Sequence, residues 1–189
     1  NPTQKPSEAF IVDLSNGNYH LIEKKVVIEG QKTAYFSEKF LEITVPVTTK
    51  EQIKEIKKTV THIAKKHDEE PYKALATTQQ AIFHQLEEQD EIDAAAIFDK
   101  VFEEKPLARE AAQLAITEER VPEKIAVTNV PKYERKYSKQ KFKLDNGIEI
   151  TIPSEIYENK EMVEFINNPD GSVSVLIKNI ESILNKFNA

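Results

Sequence analysis

The stretch KQKFKLDNGIEITI, residues 139–152, alternates apolar and polar residues on both sides of an Asp-Asn-Gly triplet. A two-residue Asn-Gly loop would place an apolar residue opposite a carboxylate and mix the two faces of the strands. A three-residue loop at 145–147 instead pairs Leu144 with Ile148, so that apolar side chains meet. The pattern therefore predicts a β-hairpin with Gly147 in the left-handed conformation, which glycine adopts without strain.

A second hairpin is predicted from VEFINNPDGSVSVLI, residues 163–177. A loop at 169–171 pairs Phe165 with Val175 and keeps the apolar residues on one face. Asn179 is a suitable N-cap for a final helix, whose apolar face would hold Ile180, Ile183, Leu184 and Phe187. The C-terminal part is thus predicted to be a pair of hairpins plus a terminal helix.

Working outward, β-branched and aromatic residues predict N-terminal strands at 8–14, 19–28 and 40–47. Helical spacing then predicts a central segment of about four helices. Their starts are indicated by a Thr49-x-x-Gln52 capping box, Pro71, Asp93 as an N-cap and Pro106. Strands followed by helices and again by strands predict an α+β fold.

The apolar face of the fourth helix is predicted to hold Leu107, Ala111, Leu114 and Ala115. Two domains are predicted, a mixed β and helical region at 1–130 and a hairpin unit at 131–189. Their boundary is placed within 119–138, where Pro122 and Pro131 interrupt regular structure. A single compact domain is the alternative.

The composition excludes several classes of protein. The chain contains no cysteine, so disulfides, thiolate metal sites and cysteine nucleophiles are absent. No apolar run approaches the roughly 18 residues of a membrane span, and no signal peptide is recognisable. We therefore expect no membrane partner, and the lack of cysteine fits a reducing cytoplasm.

No pattern predicts a catalytic or metal site. His62 and His67 are five residues apart, which does not place them on one face of a helix, so no metal or cofactor is predicted. The carboxylates of residues 84–93 could form an acid–base pair or hold a cation, but a solvated helix end is favoured. No phosphate-binding loop or nucleophile motif is present, and the prediction is that the protein is not an enzyme.

Two segments are strongly basic although the chain carries a formal charge of -6. Residues 131–143 hold six basic residues and one Glu, with tyrosines between them, and residues 50–66 hold six Lys and two Glu. Charge combined with aromatic rings is typical of nucleic-acid binding. The candidate nucleic-acid-binding residues are Lys132, Tyr133, Arg135, Lys136, Tyr137, Lys139, Lys141, Lys54, Lys57, Lys58 and Lys65. The alternatives are a basic linker and a solvated helix exterior. Lys143 is assigned a structural role opposite Glu149.

Three runs of the sequence resemble the bacterial 37-kDa nucleoid-associated proteins. They are EAFIVDL with LIEKKVVIEGQKTAYFSEKFLE, AIFDKVFEEKPLAREAA, and FKLDNGIEITIPSEIYENKEMVEFINNPDGSVSVLIKNI. Because members of this family are longer, the resemblance implies the C-terminal portion, with the N-terminal domain absent. It also implies a cytoplasmic location at the nucleoid, association with DNA and no catalytic activity.

The leading hypothesis is therefore a non-enzymatic nucleoid-associated module that contacts DNA through its basic segments with little sequence specificity. The alternative is a protein-interaction module that reaches the nucleoid through another protein, or by self-association as a homo-oligomer. The negative net charge favours this alternative, because a polyanion repels an acidic protein at long range. A nuclease-like use of the 87–93 carboxylates with a divalent ion is the weakest hypothesis.

Overall fold

The computed structural model describes residues 8–17, 19–28, 30–42 and 47–184. The chain divides into two compact units, Asn1–Val47 and Thr48–Ala189. This division differs from the predicted boundary within 119–138. Helices and antiparallel strand pairs occur together, which confirms the predicted α+β class. None of the helices among the described residues has the length and apolar character needed to span a bilayer.

The first unit contains two short hairpins and a π-helix. The strands are β1 Ala9–Val12, β2 Tyr19–Ile22, β3 Val26–Ile28 and β4 Gln31–Thr33, paired β1 with β2 and β3 with β4. The π-helix spans Tyr35–Phe40. At its start the carboxylate of Glu23 accepts hydrogen bonds from the backbone N–H groups of Phe36 and Ser37, at 2.6 and 3.1 Å.

The strand predicted at 40–47 is wrong for the residues that the structure describes. Phe40 ends the π-helix, residues 41 and 42 form no strand, and residues 43–46 lie outside the described part of the chain. Phe40, the aromatic residue of that predicted strand, belongs to the π-helix instead, where its ring stacks on that of Phe36 with the centroids 5.3 Å apart.

The second unit contains the helices α1 Thr49–Lys66, α2 Pro71–Glu88, α3 Ala94–Val101, α4 Pro106–Thr117, α5 Val130–Tyr137 and α6 Ser154–Glu158. The predicted starts at Pro71 and Pro106 are confirmed, and the Asp93 side chain caps α3 by accepting from the Ala96 N–H at 2.9 Å. The capping box of α1 lies one residue earlier than predicted, at Thr48 and Glu51. The second hydrogen bond of the capping box is donated by the backbone N–H of Thr48 to the side-chain carboxylate of Glu51.

Six strands form three separate antiparallel pairs in this unit. They are β5 Glu91–Asp93 with β6 Lys124–Ala126, β7 Lys139–Lys143 with β8 Glu149–Pro153, and β9 Val163–Asn167 with β10 Val173–Ile177. Both predicted registers are confirmed, since Phe142 lies opposite Ile150 and Phe165 opposite Val175. Gly147 adopts a φ of +89°, as the three-residue loop requires.

The core of the second unit lies among α1, α2, α3 and α4, where Ile56, Val60, Ile82, Phe98 and Phe102 are fully buried. The predicted apolar face of α4 is wrong for its two leucines and confirmed for Ala115, which is buried, and Ala111, which packs against the core. Leu107 and Leu114 are 71% and 50% exposed, whereas the buried residues are Ala108, Ala112 and Ala115. Small side chains let α4 approach its neighbours closely, so the alanine stripe faces the core.

The segment 119–138 is not a linker. It supplies β6 and α5, and it buries Val121, Ile125, Val127, Tyr133 and Tyr137 in the core. Pro131 lies in the first turn of α5, where its missing N–H leaves no helical hydrogen bond unmade. The proline therefore begins a helix instead of interrupting regular structure.

The predicted terminal helix is absent from the residues that the structure describes. Residues 178–184 have no regular secondary structure, and Asn179 has a φ of +56° and donates from its side chain to the Glu161 carbonyl at 3.0 Å. The left-handed backbone of Asn179 differs from the extended conformation that an N-cap residue adopts, so Asn179 does not begin a helix. The rest of that predicted helix, with Phe187, lies outside the described residues.

Candidate nucleic-acid interface

Helix α1 presents lysines on its solvent side because its apolar residues occupy the other. Ile53, Ile56 and Val60 are almost completely buried, and they recur at the three- and four-residue spacing of one helix face. The lysines fall between them and project outward. They are Lys50, Lys54, Lys57, Lys58, Lys65 and Lys66, of which Lys57 is half-buried and the others are exposed.

Helix α5 lies beside α2 and carries the second basic segment. The Asn129 side chain caps α5 by accepting from the backbone N–H of Lys132 at 3.3 Å. Tyr133 and Tyr137, one turn apart, are nearly parallel, with ring centroids at 6.4 Å. They are only 9% and 2% exposed, so both rings are packed on the core and are not presented for stacking with bases.

Burial has an electrostatic consequence for Tyr137. Removing the phenol from water disfavours its anion, and the neighbouring Tyr133 adds to the effect, so the pKa of Tyr137 rises to about 12. The ring therefore stays neutral at physiological pH and offers its negative face to cations.

Lysines from both basic segments meet over these tyrosines. The ammonium groups of Lys57 and Lys136 each lie 5.1 Å from the centroid of the Tyr137 ring. Lys132 and Lys136 lie 5.7 and 5.9 Å from the centroid of Tyr133. Such contacts contribute about 0.5–1 kcal/mol each at exposed sites. The structure thus joins two segments that are distant in sequence into one basic surface.

Two concave surfaces adjoin at this point. The first, of about 570 Å³, is lined by Thr48, Lys50, Glu51, Ile53, Lys54, Lys57, Lys136 and Tyr137. The second, of about 480 Å³, is lined by Lys54, Lys57, Lys58, Thr61, His62, Lys65 and Leu75. Lys54 and Lys57 belong to both. We call the lysines of these two surfaces the lysine face: Lys50, Lys54, Lys57, Lys58, Lys65 and Lys136.

Most of the lysine face lacks a neutralising carboxylate. Within the described part of the chain, no Asp or Glu forms a salt bridge with Lys54, Lys57, Lys65 or Lys136, whereas Lys58 lies 3.3 Å from Glu55. Burial and the repulsion of Lys136 together lower the pKa of Lys57 below its ordinary value. The face therefore concentrates positive charge that nearby carboxylates offset only in part, through the salt bridge of Lys58 with Glu55 and the presence of Glu51 in the first concave surface.

The remaining predicted residues are placed differently. Lys132 is exposed at the flank of Tyr133, and Arg135, also exposed, points away from the buried side of α5 by the helical period. Lys139 and Lys141 are exposed on β7, and Lys141 lines a further groove together with Lys57. Lys143 lies opposite Glu149 as predicted, with their charged atoms 3.9 Å apart.

Lys50 is a member of the lysine face that the sequence-based candidate set omits. Lys50 can be recognised from the sequence by its spacing. The intervals between Lys50, Lys54, Lys57 and Lys65 keep these four residues on one side of a helix. No local pattern, in contrast, indicates which helix lies beside them.

The acidic run at 84–93 has structural partners. Glu87 lies 3.5 Å from the His84 ring, Glu91 lies 2.8 Å from the Lys124 ammonium, and Asp93 caps α3. His84 also contacts Glu158 at 2.8 Å. Among the residues described, no group of three or more His, Cys, Asp or Glu side chains is arranged to hold a metal ion.

One comparison with known proteins gives a match. A family model described as NA37, nucleoid-associated protein YejK, matches residues 2–185, which is nearly the whole chain. No curated protein and no solved structure matches the chain significantly.

Proposed function

The chain belongs to the NA37 family of the nucleoid-associated protein YejK, and from this premise we propose that its lysine face binds the phosphate backbone of DNA. The family gives the chain a nucleoid-associated role. The direct contact, the lack of catalytic activity and the cytoplasmic location are parts of the proposal. The observation that carries it is the meeting of Lys57 and Lys136 over Tyr137, where neither lysine forms a salt bridge with a carboxylate of the described residues.

Phosphate is the ligand that this arrangement suits. In the free protein the charge of Lys136 repels that of Lys57 and lowers the pKa of Lys57, in addition to the effect of burial. A bound phosphate would reverse that repulsion, and each contact would release condensed counterions from the DNA. Neutralising the lysine face is thus favourable for both partners.

The proposed contact carries little sequence information. Lysine ammonium groups act as flexible point charges and contact phosphates without reading base edges. The two tyrosines of α5 are covered by the core and by lysines. We therefore expect similar affinity for duplexes of different sequence.

The net charge of -6 limits the range of this attraction. Beyond roughly 8 Å, the Debye length at physiological salt, dissolved ions screen the charge of the lysine face. Attraction therefore acts only when DNA is already close to the lysine face. This predicts weak, strongly salt-dependent binding.

A fluorescence-anisotropy titration of labelled duplex DNA across a salt series tests the proposal. If about six phosphates are contacted, log affinity falls with log salt with a slope of about -5. Binding that ignores salt, or no binding at low salt, would refute direct contact. Duplexes of scrambled sequence serve as the control for specificity.

A second function is supported by a different surface. Strand β10 and the residues after it expose Leu176, Ile177, Ile180, Ile183 and Leu184, by 45% to 86%. Strand β10 pairs only with β9 in the described structure, so its other edge has no strand partner. Apolar surface of this kind favours docking of another protein or a second copy of this chain. Co-purification that survives nuclease treatment supports this function, and loss on treatment counts against it.

A further inference from the structure

A third groove adjoins the lysine face, between α2 and the two C-terminal hairpins. Its volume is about 750 Å³, within the range of roughly 300–1,000 Å³ that is usual for ligand sites. It is lined by Lys57, Tyr72, Leu75, Ala76, Gln79, Gln140, Lys141, Phe142, Lys143, Leu144, Asp145, Asn146, Phe165, Gly171, Ser172, Val173 and Val175. We call it the hairpin groove.

Aromatic side chains contribute to the wall of the hairpin groove. Phe165 is central to them, with ring centroids 5.0 Å from Phe142 and 6.0 Å from Tyr72. All three side chains are partly exposed, in contrast to the buried tyrosines of α5. The groove therefore offers the aromatic surface for a planar ligand that α5 does not.

Lysines lie along the same groove. Lys57, Lys141 and Lys143 all line it, and Asp145 is the one carboxylate among its described lining residues. Lys141 forms no salt bridge in the described part of the chain. The charged atoms of Lys143 and Glu149 are 3.9 Å apart, and both side chains are more than 70% exposed. Glu149 therefore neutralises the charge of Lys143 only weakly. The groove thus matches a ligand that is both flat and anionic.

The polar side chains of the groove are already engaged with the protein. The Gln79 amide donates to the Lys139 carbonyl at 2.7 Å, and the Gln140 amide donates to the Ala76 carbonyl at 2.9 Å. Asn146 accepts from the Ile148 N–H at 3.1 Å, and the Ser172 hydroxyl donates to Asp170 at 2.7 Å. These bonds fix the walls and leave few groups to distinguish one base edge from another.

We propose that the hairpin groove receives an unpaired base of single-stranded DNA, whose flanking phosphates contact Lys57, Lys141 and Lys143. This inference rests on the proposed function, because Lys57 lines both the groove and the lysine face. A strand held on the lysine face continues into the groove without a gap in positive charge.

Single-stranded DNA is favoured over duplex DNA by the nature of the walls. In a duplex the faces of the bases are stacked on one another and cannot reach Phe142 or Phe165. An unpaired base gains contact with an aromatic ring, and this contact tolerates any base. We expect a thymidine oligomer to bind about tenfold more tightly than a backbone without bases.

The experiment compares three probes with the full chain. They are a thymidine oligomer, an oligomer of abasic deoxyribose phosphates of the same length, and a duplex of that length. Because the chain contains no tryptophan, Phe142→Trp places a single fluorescent reporter in the groove. We expect the thymidine oligomer to quench this reporter and the abasic oligomer to leave it unchanged.

Two sets of substitutions distinguish the contribution of the base to binding from that of the phosphates. Phe142→Leu keeps an apolar side chain but removes the ring, and it should bring thymidine affinity down to the abasic value without changing duplex affinity. If that variant loses its fold by circular dichroism, the exposed pair Lys141→Gln and Lys143→Gln replaces it. That pair should weaken binding of both single strands several-fold.

The outcomes are distinguishable. Equal affinity for the thymidine and abasic oligomers, with no quenching, overturns the inference while leaving duplex binding and the proposed function intact. Absence of binding to all three probes overturns the proposed function itself. An extended acidic peptide is added as a fourth probe. Quenching by this peptide but by none of the oligomers would show that the groove is a peptide site, and this also overturns the inference.

Discussion

The ammonium group of Lys57 on α1 lies 5.1 Å from the centroid of the Tyr137 ring on α5. The same ring is approached at the same distance by Lys136. Tyr137 is thus the point at which the two basic segments of the sequence become one surface. Its neutral ring lets two ammonium groups approach each other, because the ring face attracts both.

Removing two lysines from the lysine face should weaken DNA binding and its salt dependence. Lys54 and Lys65 line the same concave surface, are exposed and have no salt bridge in the described structure. The double variant Lys54→Gln, Lys65→Gln should flatten the salt slope by about 2, because each phosphate that a lysine no longer neutralises lowers the slope by about 1. Anisotropy titrations at several salt concentrations measure this slope.

The matched control is the double variant Lys66→Gln, Lys160→Gln. It makes the same change in net charge with exposed lysines that do not line the lysine face. Its slope should equal that of the unmodified chain. Equal flattening in both double variants would mean that net charge, and not the lysine face, determines binding.

DNA affinity should fall at alkaline pH because of Lys57. The pKa of Lys57 is lowered by burial and by Lys136, so its positive charge is lost as pH rises earlier than for an ordinary lysine. The variant Lys57→Arg keeps the charge, since guanidinium stays protonated. As pH rises toward 10.5, the ordinary pKa of lysine, the unmodified chain should lose more affinity than this variant.

Lys160→Arg is the control for that measurement, because Lys160 lies outside the lysine face. It should leave the pH profile unchanged. Parallel profiles for the unmodified chain and Lys57→Arg would exclude a contribution of Lys57 to binding.

Tyr137 should make the second unit less stable at alkaline pH. The pKa of Tyr137 rises from 10.0 to about 12 on folding, so above pH 10 the unfolded chain loses a proton that the folded chain keeps. The resulting stability is present below pH 10 and lost between pH 10 and about 12, by about 2–3 kcal/mol at 1.36 kcal/mol per pKa unit.

Urea unfolding of the unmodified chain and of Tyr137→Phe, compared over this pH range, isolates the effect. The phenylalanine variant lacks the ionisable hydroxyl and should be the more stable of the two near pH 12. An identical loss of stability at alkaline pH in both proteins would show that the pKa of Tyr137 does not change on folding.

Replacing Gly147 by alanine should lower the stability of the protein because of the backbone conformation at this position, and not because of a clash with neighbouring atoms. Its φ is +89°, and an added Cβ would meet no atom within 4 Å. Gly147→Ala should therefore cost about 1–2 kcal/mol, the penalty of the left-handed region for an L-residue. Gly147→Asn should cost less, because asparagine tolerates that region better. Chemical denaturation measures both, and equal losses would argue against a purely backbone cause.

The hairpin registers could be predicted from sequence because they depend on local rules. Apolar residues that recur at every second position, together with the turn residues, predict one strand register for each hairpin. The structure has both registers, with Phe142 opposite Ile150 and Phe165 opposite Val175. Helix starts at Pro71, Asp93 and Pro106 follow from similarly local capping preferences.

Features that depend on tertiary contacts could not be predicted in this way. Helix α4 has both a leucine and an alanine stripe, and only the spacing to its neighbours decides that Ala112 is buried and Leu114 is not. The lysines of α1 could be assigned to one helix side, but no local pattern shows that Lys136 lies beside Lys57. Pro122 and Pro131 suggested a linker, whereas the position of Pro131 in the first turn of α5 permits a helix.

The most direct test of the lysine face is acetylation footprinting of the chain with and without duplex DNA, analysed for each lysine by mass spectrometry. The account predicts that DNA protects Lys54, Lys65 and Lys136 at low salt, while Lys66 and Lys160 react equally in both states. Protection that is uniform over all five lysines, or absent from Lys54, Lys65 and Lys136 while DNA is bound, would contradict it.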